Sequence, residues 1–177
     1  MRGIAAAARE AGAAPPCVLL SGLTELSEMT VFRRELGDAT STNAGAVIRS
    51  FAGLQNFALS TECADDVWLD VDSIVRSVYG FPSELFSAPG VFASYRERGC
   101  LTLDPQKTPA PFLLDAFGTL VRRLGPERAG VILAGVTLDD VAVAFYDAGF
   151  RRFAVSAAAR ERMLLTFGRR AAEVTYE

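Results

Sequence analysis

Short apolar runs alternate with longer amphipathic segments along most of the chain, and this alternation predicts its secondary structure. Each run of four or five mostly apolar residues predicts a buried strand: 17–20, 44–48, 67–71, 131–134 and 153–156. Between these runs, apolar residues recur at intervals of three and four, which is typical of amphipathic helices. Strands that alternate with helices indicate βα units and a parallel sheet. The sequence therefore predicts an α/β fold.

Capping residues and glycines mark where the predicted helices begin and end. Thr24 is placed to cap a helix whose first turn contains Glu28, where a carboxylate is favourable. The last helix, 157–167, is predicted to stop at Gly168. Prolines and glycines interrupt the pattern over 81–111, so we expect a long connection with one short helical turn.

The composition limits the class of protein. With 177 residues, half of them apolar, the chain has the size of one domain with a sizeable core, and we predict a single domain over 1–177. A net charge of −3 argues against nucleic acid or an anionic membrane as the main partner. No apolar stretch approaches the roughly 20 residues that span a bilayer. The three cysteines lack metal or redox spacing, so we expect a cytoplasmic protein.

The chain contains no histidine. This excludes Ser-His and Cys-His nucleophilic sites and removes the commonest general base. Any chemistry would have to use carboxylates, arginine, tyrosine or a thiol.

Five segments at or near the predicted strands carry a resemblance to a known family. Segment 148–157, AGFRRFAVSA, places a small residue, a glycine and an apolar residue before a strand that ends in Ser156. The other four segments are 19–24, 44–49, 71–75 and 133–136. Together they resemble the second half of the barrel domain of phosphoenolpyruvate-utilising enzymes, such as phosphotransferase-system enzyme I, phosphoenolpyruvate synthase and pyruvate phosphate dikinase. The resemblance spans nearly the whole chain and implies an incomplete (β/α) barrel, the second half of a TIM barrel.

The chain departs from this family where the family carries its chemistry. The resemblance implies a magnesium ion held by a strand-ending Glu and an Asp, and a Cys that acts as acid or base. Arg49, Val75 and Ala134 occupy those positions. Because an arginine repels a cation that a carboxylate would hold, we expect the family's metal site and its reaction to be lost, and we predict no cofactor.

Asp70 and Asp72 are candidate cation ligands. If they alternate on one strand, both could point to one face at its C-terminal end, where barrel enzymes place their active sites. A magnesium site is one interpretation. A solvated strand end is the interpretation that we favour, because no third carboxylate stands in a matching position.

Arg49 and Arg76 are candidate anion ligands. Each follows an apolar strand, and together they could bind a carboxylate or a phosphate; alternatively, each pairs with a nearby aspartate. Ser21 and Gly135 are small residues at strand ends that suit either a ligand or tight packing. Helix-dipole complementarity and solubility explain the arginine pairs at 122–123, 151–152 and 169–170.

About four βα units cannot close a barrel of eight strands. The first and last strands would leave hydrogen-bonding edges, the inner face would meet water, and such edges invite pairing. We therefore expect a homodimer, or a separate chain that supplies the missing half barrel. An open, helix-covered sheet that is stable alone is the alternative.

Three functions follow as hypotheses. The first, which we favour, is a catalytically degenerate relative of phosphoenolpyruvate-utilising enzymes that binds a small anion or a partner protein. The second is a magnesium-dependent enzyme, a transferase of phosphorus-containing groups, that acts on phosphoenolpyruvate- or pyruvate-like carboxylates through relocated groups: Asp70, Asp72 and Cys63. The third is a structural or assembly subunit.

Overall fold

A computed structural model of the chain describes residues 7, 10–12, 17–36, 43–59, 64–82, 84, 90–105, 109–133 and 139–175. Five strands form one parallel sheet in sequential order: β1 (Cys17–Ser21), β2 (Asn43–Ile48), β3 (Asp66–Asp70), β4 (Ala129–Leu133) and β5 (Arg152–Val155). The predicted α/β fold with parallel βα units is confirmed. Within the described residues the sheet is not closed into a barrel, because β1 and β5 remain at its two edges.

Helices alternate with the strands. In chain order they are α1 (Leu26–Leu36), α2 (Phe51–Leu59), α3 (Val71–Tyr79), α4 (Val91–Glu97), α5 (Pro111–Leu124), α6 (Asp139–Asp147) and α7 (Arg160–Thr175), the last preceded by a 3₁₀ turn, Ala157–Ala159. Helix α4 is the short turn expected within the long connection. The N-terminus of α1 is held by Glu28, whose carboxylate accepts hydrogen bonds from the backbone N–H groups of Thr24 and Glu25 at 2.9 and 3.0 Å.

The sheet buries one face far more than the other. In a parallel sheet with sequential strand order, right-handed crossovers place the helices on one side. Side chains of the central strands that point to this side are buried: Ala44, Ala46, Ile48, Val67, Leu69, Ala129, Val131 and Leu133. We define the open face by the alternate residues that remain partly or largely exposed: Cys17, Leu19, Ser21, Val47, Asp66, Trp68, Asp70, Ile132, Arg152 and Ala154.

A glycine shapes the middle of the open face. A Cβ atom on Gly130 would lie 2.6 Å from the ring of Trp68, so the indole covers the backbone of β4 only because no side chain is there. Arg152 stacks on the same indole, with its guanidinium carbon 4.7 Å from the ring centroid. Asp66 accepts a hydrogen bond from Trp68 Nε1 at 3.1 Å and forms an ion pair with Arg152.

Three sequence-based predictions are wrong. Asp72 lies on helix α3 and not on a strand with Asp70, because the Asp70 carboxylate accepts a hydrogen bond from the Ser73 N–H and begins the helix there. The last helix continues through Gly168 to Thr175. Arg152 begins strand β5 and pairs with Asp66, so its role is not helix-dipole complementarity or solubility.

Candidate functional site

An open cleft of about 420 Å³ lies where strands β1, β2 and β3 end. Its lining is formed by the residues that follow β1 and β2, by one side of α3 and by the two residues after that helix: Gly22, Arg49, Ser73, Arg76, Ser77, Gly80 and Phe81. The C-terminal ends of parallel strands are where α/β proteins usually bind ligands. The cleft is therefore the candidate functional site.

Asp70 holds two of the lining residues, Ser73 and Arg49, in position. As the N-cap of α3, it accepts a hydrogen bond through Oδ1 from the Ser73 N–H at 3.1 Å. Its Oδ2 accepts from the Ser73 hydroxyl at 2.7 Å and from Arg49 Nε at 3.1 Å. Protein donors thus fill three of the roughly four acceptor sites of this carboxylate.

The hydroxyl of Ser73 joins the two candidate arginines. It accepts hydrogen bonds from Arg49 Nη2 at 3.3 Å and from Arg76 Nη2 at 3.0 Å, while it donates to Asp70. Ser73 itself is only 7% exposed, whereas the Arg49 side chain is 51% exposed. The fold therefore brings two guanidinium groups from different βα units to one oxygen atom.

Backbone contacts hold the rest of the cleft in place. Arg76 Nε donates to the carbonyl of Asp72 at 3.3 Å. The Ser77 hydroxyl donates to the carbonyl of Ile74 at 2.7 Å and accepts from the Phe51 N–H at 3.0 Å, which ties the start of α2 to α3. Both sides of the cleft are thereby linked independently of any ligand.

The chemistry of this arrangement suits an anion better than a cation. Each guanidinium has five N–H donors, of which protein acceptors in the described residues take two from Arg49 and two from Arg76. The Arg49 side chain is 51% exposed, whereas that of Asp70 beneath it is 20% exposed, so the positive group lies outermost. In the part of the chain described, no three His, Cys, Asp or Glu side chains gather as a metal site would require.

Asp72 lies on α3 next to the cleft, and its carboxyl group has a raised pKa. Burial raises the pKa of its carboxyl group above the usual 3.8, the charge of Asp70 raises it further, and Arg76 partly opposes the shift. When the pKa of a carboxyl group is higher in the folded state than in the unfolded state, its ionisation disfavours the folded state. The free energy of unfolding therefore falls as the pH rises through the two pKa values.

We therefore expect Asp72→Asn to increase the free energy of unfolding at pH 7 relative to the wild type, and to have less effect below pH 3.8. Urea unfolding at a series of pH values measures this difference. If the gain in the free energy of unfolding is the same at every pH, or if the variant is less stable than the wild type at neutral pH, the ionised carboxylate does not destabilise the folded protein.

The predicted site residues separate into three groups. Arg49, Arg76 and Asp70 meet at the cleft, and the aspartate alternative holds for Arg49, which pairs with Asp70. Ser21 ends β1 as an exposed residue beside the cleft-lining Gly22, whereas Val75 is buried in the core. The remaining candidates lie outside the described residues: Cys63, Ala134 and Gly135.

Sequence reasoning missed Ser73 and Ser77. The signal was present, since Asp70 and Ser73 have the three-residue spacing of an N-cap and its partner, and Ser77 follows one helical turn later. Placing Asp72 on a strand concealed this pattern.

Comparisons with known proteins bear on the fold alone. No family model matches the chain, and no curated protein matches it. Among solved structures, RipC from Yersinia pestis is similar with a TM-score of 0.56 and 18% identity, over 92% of this chain and 68% of RipC. A citrate lyase from Burkholderia xenovorans LB400 is similar with a TM-score of 0.54 and 15% identity, over 84% of this chain and 48% of the lyase. The chain thus spans about half of the lyase's length.

None of the helices among the described residues is both long enough and apolar enough to cross a lipid bilayer.

Proposed function

We propose that the chain binds a small carboxylate or phosphate anion between Arg49 and Arg76, as a binding protein and not as a metal-dependent enzyme. The observation that supports this most is the convergence of the two guanidinium groups on the Ser73 hydroxyl, 3.3 and 3.0 Å away, at an open cleft. An anion placed above Ser73 would accept hydrogen bonds from both arginines.

The balance of charge supports an anion despite the two aspartates nearby. Asp70 is held beneath Arg49, and its oxygens already accept hydrogen bonds from Ser73 and Arg49. Asp72 is half-buried and is not among the described residues that line the cleft. A divalent cation that approached Asp70 would find most of its acceptor sites taken by protein donors and would meet the positive charges of Arg49 and Arg76.

Two anions are reasonable probes. The resemblance of the sequence to phosphoenolpyruvate-utilising enzymes suggests phosphoenolpyruvate, which carries both a phosphate and a carboxylate. The structural likeness to a citrate lyase suggests citrate, although it establishes the fold only. Both probes offer planar carboxylate groups that match the fork of a guanidinium.

Isothermal titration calorimetry tests the proposal with phosphoenolpyruvate, citrate and the uncharged sugar glucose, each in EDTA and in magnesium. We expect at least one anion to bind in EDTA and glucose not to bind. Since a hydrogen bond to a charged group contributes about 1.5–3 kcal/mol, Arg49→Gln and Arg76→Gln should each weaken binding by about tenfold or more.

Arg169→Gln is the matched control. It removes the same charge from an exposed position on α7, which follows β5 at the opposite edge of the sheet, and should leave the dissociation constant unchanged. Anion binding that requires magnesium would favour the enzyme hypothesis instead. If all three variants weaken anion binding equally, the loss of affinity comes from the net charge of the protein and not from the two arginines of the cleft.

A further inference from the structure

Both edges of the sheet are open in the described residues. There β1 pairs with β2 alone and β5 with β4 alone, so each edge strand keeps one row of unpaired backbone groups. Such edges favour the addition of another strand. All five strands run in the same direction. The outer edge of β5 in one chain can therefore pair in parallel with the outer edge of β1 in another chain.

A shallow apolar groove of about 400 Å³ lies beside the β1 edge. Its apolar lining comes from Leu20, Val31 and Phe32, and Val31 is 47% exposed. Glu28 and Glu35 stand in the same lining. We call this surface, which is apolar with an acidic rim, the β1 groove.

A second groove of about 360 Å³ lies beside the β5 edge. Its apolar lining includes Val155, Met163, Phe167 and Leu164, the last 63% exposed, and its single charged lining residue among those described is Arg160. We call this surface the β5 groove. It is apolar like the β1 groove and opposite to it in charge.

We propose that a second copy of the chain covers these edges, with the β5 groove of each copy docked on the β1 groove of the other. The apolar surfaces of α1 and α7 meet, and Arg160 of one copy faces Glu35 of its partner. The parallel sheet then continues from copy to copy. Two copies related by a two-fold axis along the sheet's strands make this contact twice and leave no free edge.

The open face explains why the assembly closes as a pair. Leu19, Val47, Trp68 and Ile132 lie on that face without the complete burial found on the helix-covered face. Strands of a parallel sheet are ordinarily covered on both faces. An open-ended stack would leave these apolar side chains exposed, whereas a closed ring of two sheets encloses them. This inference does not depend on anion binding.

Light scattering coupled to size-exclusion chromatography tests the assembly at tens of micromolar. We expect twice the 18.9 kDa of the chain. Leu164→Glu should give the mass of one chain, because it places a charge in the docked groove without disturbing the monomer's core. Leu59→Glu is the matched control, an exposed leucine at the end of α2 outside both grooves, and should remain a dimer.

A charge-reversal experiment tests which edges meet. Glu35→Arg and Arg160→Glu should each weaken the dimer by about tenfold or more, because each brings like charges together at two contacts. An equimolar mixture of the two variants should dimerise like the wild type, since both of its contacts again pair opposite charges.

Several results would overturn the proposal. A wild-type mass of one chain contradicts self-association, and a mass above two copies contradicts the closed pair. Dimers that persist in Leu164→Glu place the contact elsewhere. If the equimolar mixture dimerises no more tightly than either variant alone, the β1 and β5 grooves do not face each other. If the wild type is a monomer, a separate chain that completes the barrel becomes the better interpretation of the edges.

Discussion

Replacing Phe117 by alanine should lower the free energy of unfolding by about 3–5 kcal/mol, the usual cost of removing a fully buried phenylalanine. Phe117 is 0% exposed on α5 and contacts the ring of Phe145 with centroids 5.0 Å apart. Phe145 in turn contacts Phe150, 5.7 Å away, just before β5. The substitution therefore opens a cavity where α5, α6 and the approach to β5 meet.

Phe112→Ala provides the matched control on the same helix. Its ring is 48% exposed and touches Phe51 at the surface, so we expect a loss of less than about 1.5 kcal/mol. Denaturant unfolding of both variants measures the difference. Equal losses would mean that α5 does not present Phe117 to the core.

Replacing Asp66 by alanine should cost about 2–3 kcal/mol, which is less than the roughly 3–5 kcal/mol for breaking a fully buried pair, because the Arg152 side chain is 32% exposed. The carboxylate accepts hydrogen bonds from both terminal nitrogens of Arg152 and from Trp68 Nε1. Its removal leaves the guanidinium without its carboxylate and the indole N–H without its acceptor. Without the carboxylate, Arg152 is also no longer held against the ring of Trp68.

The exposed pair of Asp147 and Arg170 is the control for this prediction. Its side chains are 42% and 35% exposed, so Asp147→Ala should cost less than about 1 kcal/mol. A double-mutant cycle between Asp66→Ala and Arg152→Ala, measured by denaturant unfolding, isolates the coupling within the central pair. A coupling no larger than that of the surface pair would contradict the structural role assigned to it.

The sequence alone determined the alternation of strands and helices in this protein. Apolar runs bounded by glycines, prolines and caps specify strands such as β2 and helices such as α2 through local hydrogen bonding and side-chain spacing. They also indicated that Arg49 follows β2, at the edge of the sheet where parallel strands end. These properties depend on residues that are close in sequence, so one amino-acid sequence is enough to predict them.

The tertiary structure alone decided which distant groups meet. Asp66 and Arg152 are 86 residues apart, and their pairing depends on the register of β3, β4 and β5. The convergence of Arg49 and Arg76 on Ser73 depends on Asp70 ending β3 and beginning α3 within one residue. No local pattern encodes the pairing of Asp66 with Arg152 or the approach of Arg49 to Ser73, because these contacts depend on the order and register in which distant strands align.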